Sequence, residues 1–160
     1  MWPLIKSRPG SRRILRVTGL CLLIVVVLAP LPRPLRAEES NGAGIFAARC
    51  AVCHGPQAAG IPGTFPALHE QVAAFAKSPE GRDYLIMVVS SGLMGELKVG
   101  GVHYNNVMPA QSGLSEADVA AVLSFLSGAA IAAADVKEAR SRHADNSAQS
   151  THTLRPATEP

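Results

Sequence analysis

The stretch "RCAVCHGPQ", residues 49–57, constrains this chain more than any other. Two thiols, Cys50 and Cys53, stand three residues apart, and an imidazole, His54, follows the second directly. Thiols and imidazoles bind metals and form covalent bonds. Three of them within one turn of chain point to a site and not to packing.

The N-terminal segment sets the compartment. Lys6, Arg8, Arg12, Arg13 and Arg16 form a positive region ahead of the uncharged apolar run Val17 to Ala29, which Pro30, Pro32 and Pro34 then terminate. Thirteen apolar residues fall short of the ~20 that cross a bilayer. The pattern predicts a signal peptide over 1–37 cleaved after Ala37. The alternative is an uncleaved anchor, because Leu35 is large for the −3 position. Cys21 lies inside the apolar run and is neither a lipid attachment site nor a partner for the later cysteines.

The whole chain carries 15 Lys+Arg against 12 Asp+Glu and has a pI near 9.0. Seven of the basic residues and none of the acids lie in 1–37, so the remainder has a balance of −4. The basic character belongs to the leader, and no compositional support for nucleic-acid binding is left. The mature chain keeps two cysteines. In an oxidising compartment such a pair is expected to close a disulfide unless it has other chemistry to do.

Ile45, Phe46, Arg49, Cys50 and Cys53 recur at helical spacing, which predicts a short helix ending in the motif. Six glycines and prolines between Gly55 and Pro66 make the next stretch a loop. Ser78 followed by Pro79 starts a second helix, with Leu85, Val88, Val89 and Gly92 along one face. "LKVGGVHY" (97–104) reads as a small hairpin about Gly100-Gly101. Ser115 and Asp118 form a capping box, Leu114 is placed to staple onto Val119, and Val119, Val122, Leu123 and Leu126 stripe the clearest helix. The expected organisation is a core domain over 38–128, a short C-terminal helix over 129–142, and a disordered, Ser/Thr-rich tail over 143–160. Apolar bulk is thin for such a domain, and a large flat apolar cofactor would supply the missing core.

A closed zinc site needs four ligands. Beyond the two cysteines only His54, His69 and His103 are candidates, with no second CxxC and no HxxxH. A redox dithiol expects a βαβ surround, which is absent. The bland reading is two buried cysteines beside a helix-ending histidine. Haem fits best: two thiols add across the two vinyl groups on one porphyrin edge, and the adjacent imidazole turns to the iron. For the sixth position Met108, in "NNVMPAQ", is favoured, since Pro109 stiffens its backbone. Met94 and His103 are rivals, as is an open position. Met87 reads as a core residue.

With these residues in view the chain resembles class I c-type cytochromes, over about Gly42 to Phe125. The likeness rests on the helix before "CAVCHG", the loop "GIPGTFPAL", the hairpin, "NVMPA" and "LSEADVAAVLSFL". It is similar to small monohaem cytochromes that serve as subunits or partners of bacterial dehydrogenases and oxidases. The resemblance implies an all-α fold around one covalent haem c, with Cys50 and Cys53 attached and His54 and Met108 on the iron. It implies a crossing of first and last helices at Gly44, Phe46 and Phe125, a carbonyl at Pro66 that orients the histidine, and Tyr104 at a haem propionate. Asn106 stands where glycine is commoner, and "HEQVAAFAKSPEGRDY" is a long spacer.

The expected function is a periplasmic electron carrier, not an enzyme, shuttling single electrons between a dehydrogenase and a respiratory acceptor such as a terminal oxidase or another cytochrome. No nucleic acid is expected, and membrane association only if the leader persists. The alternative is a haem protein with an open sixth position, binding a small gas or peroxide, with His103 as its polar distal group.

Overall fold

The computed structural model describes residues 41–157. The expected signal segment lies outside them. The chain divides into two units between Ala37 and Glu38, and the described residues belong to the second. Among the described residues no helix is long and apolar enough to cross a membrane.

Among the described residues six helices and one hairpin follow in order. The first, α1, has three pieces: an α-helical turn Gly42–Ile45, a π-helical turn Phe46–Cys50 and a last turn Ala51–His54. Asn41 caps it through its side chain, accepting from the Gly44 amide at 3.0 Å. Gly55, at φ +75°, ends it. Single π turns recur at functional sites, and this one delivers Cys50.

After the loop comes α2, His69–Phe75, within the stretch expected to be a mere spacer. Leu68, Val72, Phe75 and Ala76 fall on one face, and the last three are buried. The periodicity is present in the sequence, but it spans only two turns and is flanked by turn-forming residues. Helix α3, Pro79–Ser91, has Ser78 accepting from the Gly81 amide at 3.0 Å and Gly92 just past its end, as its sequence predicts. Strands β1 (Leu97–Val99) and β2 (Val102–Tyr104) pair antiparallel with Leu97 opposite Tyr104. Gly100 and Gly101 both have positive φ, the conformation a two-residue hairpin turn demands. Helix α4, Glu116–Ser127, carries the predicted capping box at Ser115 and Asp118.

Helices α1 and α4 cross, and Phe46 and Phe125 meet there with ring centroids 5.8 Å apart. The glycine at the crossing is Gly42 and not Gly44. A Cβ on Gly42 would lie 2.2 Å from the Ala121 carbonyl oxygen, whereas one on Gly44 would meet only the Asn41 side chain. Glycine spacing alone does not say which face touches the neighbour.

Helix α5, Ala133–Arg142, packs on α3 and α4. Arg140 ties it to Glu116 at 3.1 Å, to Ser90 and to the Leu114 carbonyl. Beyond it the structure departs from expectation. The segment after His143 is ordered: α6, Ala148–Thr151, and a 3-10 turn, His152–Leu154, lie against α3. Thr151 is fully buried, and Ser147 and Ser150 cap α6 reciprocally. Composition foretold disorder because the segment has few apolar residues; polar capping and bonds to the body of the domain hold it instead.

A cleft built around Cys50, Cys53 and His54

One cleft, partly open to solvent, is lined by Cys50, Cys53 and His54. Its walls come from α2 (Val72, Phe75), α3 (Leu85, Val88) and α4 (Val122, Leu123), and are almost wholly apolar. The hairpin contributes Leu97, Val99 and Tyr104, and the segment after it contributes Asn106, Val107 and Met108.

His54 is buried, and its Nδ1 lies 2.9 Å from the Pro66 carbonyl. A carbonyl only accepts, so the proton sits on Nδ1 and the lone pair is on Nε2. Burial pulls the His54 pKa below its ordinary value, with the Pro66 hydrogen bond opposing, which keeps the ring neutral. Burial, and secondarily Cys53 beside it, pushes the Cys50 thiol upward. Both cysteines are free and half-buried.

The loop 56–68 is folded back so that Pro66 reaches His54. Gly60 makes this possible: its amide donates to the His54 carbonyl at 2.9 Å, and a Cβ there would lie 2.4 Å from the Phe65 oxygen. Gly92 plays the matching part at the other wall. Leu93 and Met108 exchange two backbone hydrogen bonds of 2.9 Å, and a Cβ on Gly92 would lie 2.6 Å from the Met108 oxygen. Both glycines have positive φ.

The methionines sort clearly. Met108 lines the cleft, Met87 is buried in the core on α3, and Met94 is partly exposed and does not line the cleft. His103 points outward, its side chain 62% exposed and its Nδ1 2.6 Å from Glu96. Tyr104 is buried at the cleft wall.

Three roles escaped the sequence reading. Asn106 donates from Nδ2 to the Thr64 carbonyl at 3.0 Å, linking the Met108 segment to the loop that holds His54. Arg155, from the C-terminal segment, lines the cleft and lies over the Phe75 ring at 5.7 Å. Gln71 also lines it, and its Oε1 is buried with no hydrogen-bond partner. No local pattern marks any of them.

These features fit a haem. Two thiols on one turn face an apolar slot, a neutral imidazole offers a fixed lone pair, and a soft thioether lies on another wall. A buried polar atom without a partner is left for whatever fills the space.

The cytochrome c family model matches residues 39–130. The chain is 41% identical over 95 residues to a cytochrome c-552 of Thermus thermophilus, covering 59% of this chain and 64% of that protein. It is 42% identical over 91 residues to another Thermus thermophilus cytochrome c-552, covering 57% and 69%. The chain thus spans about two thirds of the length of these curated relatives, a little less for the first. A CxxCH turn opening onto an apolar cleft, within a matched region that takes in every helix from α1 to α4, places this chain in the cytochrome c family, with covalent haem c as its cofactor.

Proposed function

We propose that the protein is a periplasmic one-electron carrier. In this reading Cys50 and Cys53 hold the haem by thioether bonds, and His54 and Met108 are the axial ligands. The observation that carries it is the sorting of side chains: His54 and Met108 line one cleft, while Met87, Met94 and His103 do not. Bound haem supplies an iron that takes up and releases one electron without making or breaking a bond.

The chain's own residues do the rest. Pro66 holds the imidazole in one tautomer and one orientation. The Leu93–Met108 bridge fixes the thioether's backbone, so little rearrangement accompanies a change of charge. Val72, Phe75, Leu85 and Leu123 exclude water. A thioether opposite histidine raises the reduction potential, because soft sulfur favours the reduced metal.

Partner docking follows from charge. The balance of −4 after residue 37, with ionised haem propionates added, favours a basic partner surface. Val52, between the cysteines, and Val107, at the cleft, are exposed apolar contacts for it. A dehydrogenase as donor and a terminal oxidase or other cytochrome as acceptor fit this reading.

The test is an optical spectrum of haem-loaded protein, oxidised and then reduced with added carbon monoxide. A sulfur-to-iron band in the far red that is lost in Met108→Ala and kept in Met94→Ala is expected. Rapid carbon monoxide binding to the unaltered reduced protein would overturn the ligand set, and absence of covalent haem would overturn the function.

A further inference from the structure

The ordered C-terminal segment has no assigned role, and its contacts converge on one place. Met108 lies in an extended segment outside any helix, and its own backbone amide and carbonyl are both bonded to Leu93. Leu93 opens a four-residue connection, Leu93 to Glu96, that runs into β1. The other side of that connection belongs to the C-terminal segment. The Met94 amide donates to the Ala148 carbonyl at 2.9 Å, and His152 Nε2 donates to the Glu96 carbonyl at 2.7 Å. Between these bonds the His152 ring lies over Gly95, whose Cα hydrogens leave it room: a Cβ there would sit 3.6 Å from His152 Cδ2.

We infer that residues 147–155 form a strap that positions Met108, with His152 as the positioning residue, by holding the Leu93–Glu96 connection from outside while Leu93 holds Met108 from inside. The inference rests on Met108 being the sixth ligand.

The strap is built to be stiff. Ser147 and Ser150 cap its short helix, Thr151 Oγ1 donates to the Ser147 carbonyl at 2.9 Å, and Asn146 donates to Thr151. Its far end is seated in the cleft by Arg155 over Phe75. An extended segment bonded along one edge only belongs to the low-stability end of a fold, where local opening is frequent. Bonding the connection on both edges makes opening at Met108 require breaking the strap's bonds as well. An outside ligand for the iron must wait for that opening, so its apparent affinity scales with the open fraction. Losing one hydrogen bond of ordinary net worth should raise that fraction by about 2- to 10-fold.

The experiment uses ferric holoprotein and imidazole as the competing ligand. His152→Ala, His152→Gln and a deletion of residues 148–160 are compared, each in the parent and in Met108→Ala. Glutamine places an N–H near the position of Nε2, so it should restore most of what alanine loses. His152→Ala is expected to raise the apparent imidazole affinity by about 2- to 10-fold, and the deletion by more. In Met108→Ala imidazole should bind freely, and none of the strap changes should add to it. Unchanged affinity in both His152→Ala and the deletion overturns the strap's role alone. So does an increase of equal size in Met108→Ala, which would mean the strap loosens the cleft without acting through the methionine. Should the deletion fail to fold, His152→Ala and His152→Gln carry the test. Imidazole binding to Met108→Ala no tighter than to the parent would overturn the ligand assignment, and this inference with it.

Discussion

His54 donates from Nδ1 to the carbonyl of Pro66 at 2.9 Å, across twelve residues of chain. The bond decides which ring nitrogen is free, and it exists only because the intervening loop doubles back at Gly60. Gly60→Ala would put a methyl 2.4 Å from the Phe65 oxygen at a positive φ. A loss of about 1–3 kcal/mol in unfolding free energy is expected. Denaturant titration of the holoprotein reads it, and a stability within error of the parent would show that the loop has another way to reach His54.

Pro66 itself acts through its backbone, so Pro66→Ala should keep the hydrogen bond and the haem. Only the stiffening of the loop is lost, at about 0.4–1 kcal/mol. The same titration measures the loss, and nitrogen-15 resonances of His54 report whether Nδ1 stays protonated.

At the opposite wall Gly92→Ala meets the Met108 oxygen at 2.6 Å and the Ala110 amide nitrogen at 2.9 Å. Stability should fall by about 1–3 kcal/mol, and the sulfur-to-iron band should weaken together with it. Gly42→Ala, which would drive a methyl into the Ala121 carbonyl at 2.2 Å, should cost a similar ~1–3 kcal/mol but leave the band's position unchanged, since the contact of Gly42 with Ala121 involves neither His54 nor Met108. A band shift in Gly42→Ala would contradict that separation.

Asn106→Ala removes the bond from Nδ2 to the Thr64 carbonyl. The bond is exposed, so stability should fall by no more than about 1 kcal/mol. Hydrogen exchange of the Thr64, Phe65 and Ala67 amides should nevertheless quicken, because the loop loses its tie to the Met108 segment. Unaltered exchange would show the tie to be idle.

Acid sensitivity has a defined source. Glu116 is held below its ordinary pKa of 4.5, first by a hydrogen bond to its own backbone and then by Arg140. A carboxylate depressed in the folded state contributes stability above the unfolded value, and that contribution is lost as pH falls through the folded value. Glu116→Gln should therefore lower Tm slightly at pH 7, and the difference should shrink as pH falls below the ordinary glutamate value of 4.5. Melting curves across that range decide it, with parallel curves counting against the pairing.

The local chemistry of this protein is written in short stretches. CxxCH at 50–54 points to a covalent porphyrin because its two thiols can meet one porphyrin edge while the adjacent imidazole meets the metal. Ser78, Ser115 and Gly100-Gly101 place two helix starts and a hairpin, since caps and tight turns depend on residues only a few positions apart. What tertiary structure alone decided involves partners far apart in the chain. Helix α2 is stabilised by the walls it packs on, being only two turns long. Gly42 makes the crossing because its face, and not that of Gly44, meets Ala121. The polar tail is ordered because His152 finds Glu96, 56 residues earlier, and Arg155 finds Phe75. Composition predicts disorder when a segment cannot bury enough of itself, but it is blind to hydrogen bonds that a finished domain offers from outside.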